Sequence, residues 1–373
     1  MIMKIRNAIH SHTLLICLAL AGLIVSAHGQ AAGSKHADVS GLLNRAAAYQ
    51  AKGQVILAQN ALKLALGQAQ AAGDKRTEAV VKNNLASLWI LASRKYRASS
   101  EEPDIYLLEA LKIAEELKDK PLEVSIRANL GNLLVGWGNY EDAVWNFQQA
   151  VEQADKAENH ELAARCRIGM AAAAAFHGSM SLAEEYAGAA EENIAKTADG
   201  RDKALLHIKL GDVYSRMMDS ATDREQRGRY LAKGGKQYRN SVAAARQVGD
   251  EASQAYSIGF LAGLYETEGR YPEALQLSRA ALRLAQKHEL HDAAYQWQWL
   301  IGRLHNQLGD RDRAIGAYKT AVDNLSSIRS DLAIVYGNEN SPTTFRDSVG
   351  PIYYELADLL LKKADEVEDD SAR

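Results

Sequence analysis

The amino-acid sequence has 373 residues, of which 47% are hydrophobic and 24% charged, so the chain can bury a sizeable apolar core. Its formal net charge of −3 and its pI of about 6.4 exclude the concentrated positive charge of a nucleic-acid-binding protein. Helix-forming residues dominate, only five prolines occur, and no long alternation of Val, Ile or Thr is present, so the pattern predicts an all-α protein.

The first 29 residues, Met1–Gly29, have the pattern of a secretory signal peptide. Lys4 and Arg6 precede an apolar run, Thr13–Ala27, and small residues near its end allow cleavage. The run is shorter than the about 20 residues that a transmembrane helix needs, so we expect cleavage; an uncleaved membrane anchor is the alternative. The mature protein is then expected to be exported, either periplasmic or secreted, with no membrane span.

A short polar linker is predicted over residues 30–40. Cys17 lies in the segment that would be removed, which leaves Cys166 as a single thiol. Since one thiol cannot form an intramolecular disulfide, the stability of the mature chain must come from packing.

A short motif recurs along the chain, most clearly at Gly269–Ala281 and Gly309–Ala321. In both copies a Gly precedes a polar turn, an Ala follows, and a second Ala lies seven residues further on. The two copies are 40 residues apart. A fixed period of this length predicts a solenoid of helix–turn–helix units, each stable only beside its neighbours. Seven copies begin near Leu42, Asn83, Leu130, Met170, Leu210, Leu261 and Ile301.

The small residues of the motif predict how the two helices of each unit cross. We expect Gly131 to lie against Ala143 and Gly302 against Ala314. Large residues such as Phe147 and Tyr318 are expected to fill the gaps between repeats. The glycines at 138, 269 and 309 are expected to end the first helix in the left-handed conformation.

Two copies depart from the pattern. The second has a polar insert at residues 93–104 between its helices. The fifth carries a charged extension, Asp219–Arg229, which predicts either a lengthened pair of helices or a mobile loop.

The ordered small, aromatic, Gly, Ala, aromatic and Ala positions resemble the tetratricopeptide repeat (TPR), in a form longer than the usual unit of about 34 residues. The resemblance covers residues 41–325 and implies a right-handed superhelical α-solenoid of about seven repeats. Residues 326–373 are expected to form a C-terminal helical cap and an acidic tail. A TPR array implies a scaffold or adaptor that holds a protein or peptide in its concave groove.

The tail, Ser326–Asp365, also resembles the helical segment that follows TPR arrays in proteins with a caspase-like CHAT peptidase domain. The matching residues are Ile328, Arg329, Phe345, Tyr353, Tyr354, Leu356 and Leu359–Leu361. No Cys follows Cys166 in the sequence, so the Cys/His dyad of that family is not expected here. The alternative function is therefore the regulatory TPR part of a split or shortened CHAT-type peptidase system.

Catalytic, metal and cofactor sites are not predicted, and the protein is not expected to be an enzyme. The nearest metal motif, His288-Glu289-Leu290-His291, has its histidines three residues apart instead of the four of a zinc-protease helix, and it falls in a turn. Cys166 on a predicted helix is expected to be a small core residue.

The predicted partner-binding residues lie on the first helix of each repeat, which lines the groove of TPR proteins. Trp299, Tyr256 and Arg303 form an amphipathic cluster of the kind that anchors interfaces. Asn83 and Asn132, with Arg165, are expected to hold a peptide backbone or a carboxylate. The full set is Asn83, Ser87, Asn132, Arg165, Asp212, Arg216, Tyr256, Glu266, Trp299, Arg303 and Asn306. The pattern predicts no partner identity and no oligomeric state.

Overall fold

The computed structural model describes residues 34–51, 54–92, 103–327 and 349–371. Within these ranges the chain forms fifteen α-helices and no strand. The predicted signal peptide lies outside the described residues, and α1 begins at Ser34, inside the predicted linker. The helices are α1 Ser34–Ala51, α2 Val55–Ala72, α3 Lys75–Ala92, α4 Pro103–Glu116, α5 Lys120–Gly136, α6 Tyr140–Lys156, α7 His160–His177, α8 Met180–Lys196, α9 Arg201–Ser220, α10 Arg224–Gln247, α11 Glu251–Thr267, α12 Tyr271–Lys287, α13 His291–Gln307, α14 Arg311–Ser327 and α15 Gly350–Ser371.

Helices α1 to α14 pack as seven successive pairs, which are the seven predicted repeats. The most extensive contacts join the two helices of one pair. At most junctions the next most extensive contacts join the second helix of a pair to the first helix of the following pair, but between repeats four and five α7 contacts α9 more than α8 does. The described chain is therefore an α-solenoid of helix–turn–helix repeats, as the 40-residue period predicts.

Left-handed residues end helices at matching places in the repeats. Gly138, Gly269 and Gly309, with φ of 75°, 74° and 81°, follow the first helices of their repeats, as predicted. Three of the turns between repeats use Lys118, Glu158 and Glu289, which have positive φ although they are not glycines, and two others use Gly73 and Gly249. In both sets the new helix starts within three residues, so each turn sets the angle at which the next helix packs.

Polar caps start several first helices. Asp119 accepts a hydrogen bond from the Leu122 amide at 3.2 Å, and Asn159 accepts one from the Leu162 amide at 3.1 Å. These caps satisfy amides that have no partner within the helix. Pro272 lies in the first turn of α12, where its missing N–H costs no hydrogen bond, as predicted.

The first-helix glycines lie directly against large aromatic rings. A Cβ on Gly131 would lie 2.7 Å from the ring of Phe147, and one on Gly302 would lie 2.8 Å from the ring of Tyr318. These rings lie one turn further along the second helix than Ala143 and Ala314, and contact of the glycines with those two alanines stays a prediction. The same Phe147 ring lies against Gly169 of the next repeat, so it does fill the gap between repeats, as predicted.

The structure describes one of the two irregular repeats in full and the other only in part. The charged extension of the fifth repeat is a lengthened pair of helices: α9 has 20 residues, α10 has 24, and only three residues separate them. Most of the polar insert of the second repeat, residues 93–102, lies outside the described residues.

Helix α15 caps the end of the array. Val349, Ile352 and Leu359 are buried against α13 and α14 in one cluster with Trp299 and Tyr318. The helix is also held by polar contacts, since the Glu355 carboxylate accepts hydrogen bonds from the Trp299 indole at 2.7 Å and from the Tyr318 hydroxyl at 2.6 Å. The predicted C-terminal cap is thus a helix with its own apolar and polar anchors.

Near the other end of the array, Glu78 of α3 is a buried carboxylate in a network of charges. It pairs with Lys82 at 2.8 Å and with Lys75 at 2.9 Å, and Lys82 also reaches Glu109 of α4 at 2.8 Å. The hydrogen bond from Lys82 is the main cause that lowers the pKa of Glu78 to about 2, although burial alone would raise it.

We expect this carboxylate to make stability depend on pH in acid. The folded-state pKa of Glu78, about 2, lies below its ordinary value of 4.5, so its stabilisation is complete above pH 4.5 and is lost as the pH falls toward 2. Glu78→Gln should therefore be less stable than wild type at pH 7 and should lose less stability than wild type between pH 7 and pH 3. Urea unfolding at both pH values measures this. Glu152→Gln, which removes an exposed pair with Lys156, is the control, and an equal pH response in both variants would contradict the prediction.

Candidate functional site

The first helices of the repeats form the inner row of the solenoid. From α3 to α13, each first helix contacts the first helix of the next repeat, whereas the second helices of consecutive repeats approach each other only weakly. A layer whose helices lie closer together is on the inside of a curved array. The concave face is therefore lined by α3, α5, α7, α9, α11 and α13, the helices on which the partner-binding residues were predicted.

Five of the eleven predicted residues are buried in the structure: Asn83, Ser87, Asp212, Tyr256 and Trp299. Their burial argues against direct contact with a partner. Asn132, Arg165, Arg216, Glu266 and Arg303 are half-buried, and Asn306 is exposed. Partner contact by these six stays a prediction.

Several of the predicted residues connect one first helix to the next. Asn83 of α3 accepts a hydrogen bond from Asn129 of α5 at 2.9 Å. The Tyr256 hydroxyl of α11 donates to Asp292 of α13 at 2.8 Å. Burial raises the pKa of Asp292, and the Tyr256 hydrogen bond partly offsets that rise. These side chains fix the spacing of the concave face.

Arg303 makes the strongest of these connections. Its guanidinium donates two parallel hydrogen bonds to the Glu266 carboxylate, both at 2.9 Å, and lies over the Trp299 ring at 4.9 Å. Burial opposes the charge of Arg303, but Glu266 outweighs it and raises the guanidinium pKa. The predicted Trp299–Arg303 cluster exists, although Tyr256 is bonded elsewhere, and it joins repeats six and seven to α15.

Arg216 of α9 has a different environment, because it lies on aromatic rings instead of a carboxylate. Its guanidinium carbon is 3.6 Å from the ring centre of Phe176 at the end of α7. Tyr140 stacks on Phe176 with ring centres 6.1 Å apart, and His177 meets Tyr140 edge-on at 5.7 Å. We call Tyr140, Phe176, His177 and Arg216 the Arg216 cluster; it spans repeats three, four and five.

The electrostatics of the Arg216 cluster favour an anionic group. The Arg216 Nε atom is buried and has no hydrogen-bond acceptor. Burial lowers the pKa of Arg216, and the nearby carboxylate of Asp219 partly offsets this. A stacked guanidinium keeps its planar fork of donors, which matches a carboxylate. The sequence analysis selected Arg216 but missed the aromatic residues around it. The available signal was an aromatic residue close to each of two turns: Tyr140 follows the turn at Gly138, and Phe176 precedes the turn at Gly178.

The two histidines of the His288–His291 motif and Cys166 lie in environments that suit a structural role. His288 and His291 border the turn after α12, and His288 Nε2 lies 2.6 Å from Glu251 of α11. Cys166 is fully buried, and burial raises the pKa of its thiol to about 12. Among the described residues, no group of three or more His, Cys, Asp or Glu side chains is placed to hold a metal ion.

Comparison with known proteins supports the fold. No protein-family model matches the chain, and no curated protein matches it. Yeast Tom70 is similar, with a TM-score of 0.53 and 14% identity, covering 87% of this chain and 69% of that chain. A signal transduction ATPase from Pyrococcus horikoshii, a STAND protein with a tetratricopeptide repeat sensor, has a TM-score of 0.50 and 15% identity over 90% of this chain and 49% of its own. The fold is a TPR-like α-solenoid.

A third similar structure is that of a Rap protein complexed with competence and sporulation factor. It has a TM-score of 0.50 and 14% identity, covering 91% of this chain and 93% of that chain. Identities this low show a shared TPR-like fold alone. No described helix of the TPR-like array is both long and apolar enough to cross a membrane. The resemblance of the tail to the segment before CHAT peptidases stays a prediction.

Proposed function

We propose that the protein is an exported, non-catalytic scaffold that binds a protein or peptide partner on the concave face of its TPR-like array. The observation that carries this proposal is the Arg216 cluster, in which Phe176, His177 and Arg216 lie on the inner row of helices and Tyr140 lies on α6. It offers a cation with an unsatisfied donor on a rigid aromatic support, which is the composition of an interface anchor. Export rests on the signal-peptide pattern of Met1–Gly29.

Two features support a binding role. The array presents an extended curved surface whose helices are fixed to one another by polar connections, and a preorganised surface loses little entropy when a partner binds. The similar Rap protein was solved in complex with competence and sporulation factor, so a fold of this kind accommodates a bound factor in that protein.

We propose that the partner places an acidic side chain or a terminal carboxylate on Arg216. A carboxylate can accept two hydrogen bonds from the guanidinium fork. The concave surface then supplies the remaining contacts through the half-buried and exposed residues of the predicted set, including Asn132, Arg165 and Asn306.

Arg216→Ala is expected to weaken partner binding at least about tenfold, because the variant loses the carboxylate contact and its aromatic support. Arg216→Lys keeps the charge but loses the fork and the stacking, so its effect should be intermediate. The partner is first captured by cross-linking in cell-envelope extracts, and its affinity for each purified variant is then measured by calorimetry. Circular dichroism checks that the variants fold.

The matched control is Arg283→Ala, which removes an exposed Arg from the second helix α12. It should bind the partner as wild type does. Equal affinity for the Arg216→Ala variant and wild type would rule out the Arg216 cluster as the binding anchor. Export is tested separately by N-terminal sequencing of the protein recovered from the envelope, which should begin close to residue 30; recovery from the cytoplasm with Met1 intact would contradict it.

A further inference from the structure

The cap helix α15 is apolar on two faces, and only one of them is used by the array. Ile352 and Leu359 are buried against α13 and α14. On the other side of the helix, Tyr354 and Leu361 are 58% and 67% exposed. A helix that merely closes a solenoid has a polar outer face, so the second apolar face needs its own explanation.

The exposed apolar face is dense. Besides Tyr354 and Leu361, it includes Tyr353 and Leu360, which are 39% and 41% exposed. No other described helix carries more than two exposed large hydrophobic side chains. The face is also rigidly presented, because Glu355 binds Trp299 and Tyr318 on the array side.

The spacing of the face is that of a coiled-coil seam. Tyr353, Ala357, Leu360 and Ala364 follow one another at intervals of four, three and four residues. This alternation keeps one stripe of a helix toward a partner helix. Tyr354 and Leu361 lie seven residues apart beside the stripe, as flanking positions of the same seam do. We call these six residues the α15 seam.

The α15 seam is complementary to itself when two copies run antiparallel. Tyr353 of one copy then faces Ala364 of the other, and Ala357 faces Leu360. Every layer pairs a large side chain with a small one, which lets the layers interdigitate. Tyr354 and Leu361 meet their counterparts along the open edge of the pair.

A parallel pair of α15 helices lacks this complementarity. Tyr353 would face Tyr353 and Ala357 would face Ala357, so crowded layers would alternate with empty ones. The sequence of the seam thus selects one orientation of a second copy.

We propose that α15 is a homodimerisation helix, whose seam packs antiparallel against the same helix of a second copy of this chain. The contact is isologous, since each copy contributes the same residues to a twofold axis near the middle of the seam. The dimer joins the two solenoids through their cap helices. This inference is independent of the proposed partner binding.

Sedimentation equilibrium of the purified protein over about a hundredfold range of concentration is expected to show a monomer–dimer equilibrium. Leu361→Glu should shift the monomer–dimer equilibrium at least about tenfold toward monomer, because a charged side chain would lie between the two α15 helices. The matched control is Leu64→Glu, which places the same charge at a residue of α2 that is 62% exposed. It should leave the equilibrium unchanged. A monomer at every concentration, or a dimer equally affected by both variants, would overturn the proposal.

Disulfide trapping tests the orientation, in a Cys17→Ser background and with the buried Cys166 left in place. The double variant Tyr353→Cys/Ala364→Cys should form a covalent dimer on mild oxidation, since these positions face each other in the antiparallel pair. They lie about 16 Å apart along one helix, too far for a disulfide within one chain. Tyr353→Cys alone should not. Cross-linking by Tyr353→Cys alone would show a parallel pair, and no cross-linking by the double variant would show that the two helices do not pair as proposed; either result would contradict the geometry.

Discussion

Gly259→Ala is expected to lower the free energy of unfolding by about 3 kcal/mol, at the upper end of what overpacking of a core costs. A Cβ on Gly259 of α11 would lie 2.3 Å from two ring atoms of Trp297. The Trp297 ring is 2% exposed and meets Phe260 edge-on with ring centres 5.1 Å apart. It therefore has no free space to move into, and repeats six and seven would have to separate slightly.

Gly263→Ala, on the same helix, is expected to have the opposite effect. No atom lies within 4 Å of its Cβ position, so the methyl group fits and the better helix propensity of Ala should add about 1 kcal/mol. Urea unfolding followed by circular dichroism compares the two variants with wild type. A Gly259→Ala midpoint equal to that of wild type would show that the space at Gly259 is not limiting.

Arg303→Ala and Glu266→Ala are each expected to cost about 3 kcal/mol, because each leaves a partly buried charge without its partner. The two side chains are only 20% and 12% exposed and share two hydrogen bonds across α11 and α13. Arg303→Ala should also loosen the Trp299 ring and with it the contact to α15. The thermal midpoint and the urea midpoint should both fall.

The double variant Arg303→Ala/Glu266→Ala should cost clearly less than the sum of the single variants, since it removes both charges together. An Arg–Glu pair on α10, Arg229 with Glu225, is the control, because its side chains are 54% and 84% exposed and solvent screens them. Its removal should change the midpoints little. Strict additivity at Arg303 and Glu266 would mean that the pair contributes no coupling energy.

The fold could be predicted from the sequence because its determinants are local. The Ala pairs, the glycines at 138, 269 and 309, and Pro272 act within one turn or one pair of helices, and their 40-residue period reports the repeat directly. Gly131 shows the limit of such local signals. The motif shows that a small residue is needed there, but not which side chain of the opposite helix fills the space.

The candidate site could be predicted only in part, because burial and pairing depend on residues distant in sequence. Trp299 looks like an exposed anchor until Glu355, 56 residues later, accepts its indole N–H. Tyr256 is satisfied by Asp292, 36 residues away. Arg216 stays a predicted partner-binding residue because it stacks on the Phe176 ring and is not paired as Trp299 and Tyr256 are. Residue type identifies groups able to bind, and only the structure shows which are already engaged.

The solenoid is held together by neighbours alone, and this determines its mechanics. Within the described residues, extensive helix contacts never reach beyond the adjacent repeat. A small rotation at one interface is therefore not resisted by any distant contact, and rotations at successive interfaces accumulate along the array. The molecule should behave as a spring whose pitch changes under modest force, with the rigid polar connections such as Arg303–Glu266 setting its stiffness. The concave face can then close around a partner through small changes in curvature at every interface of the array.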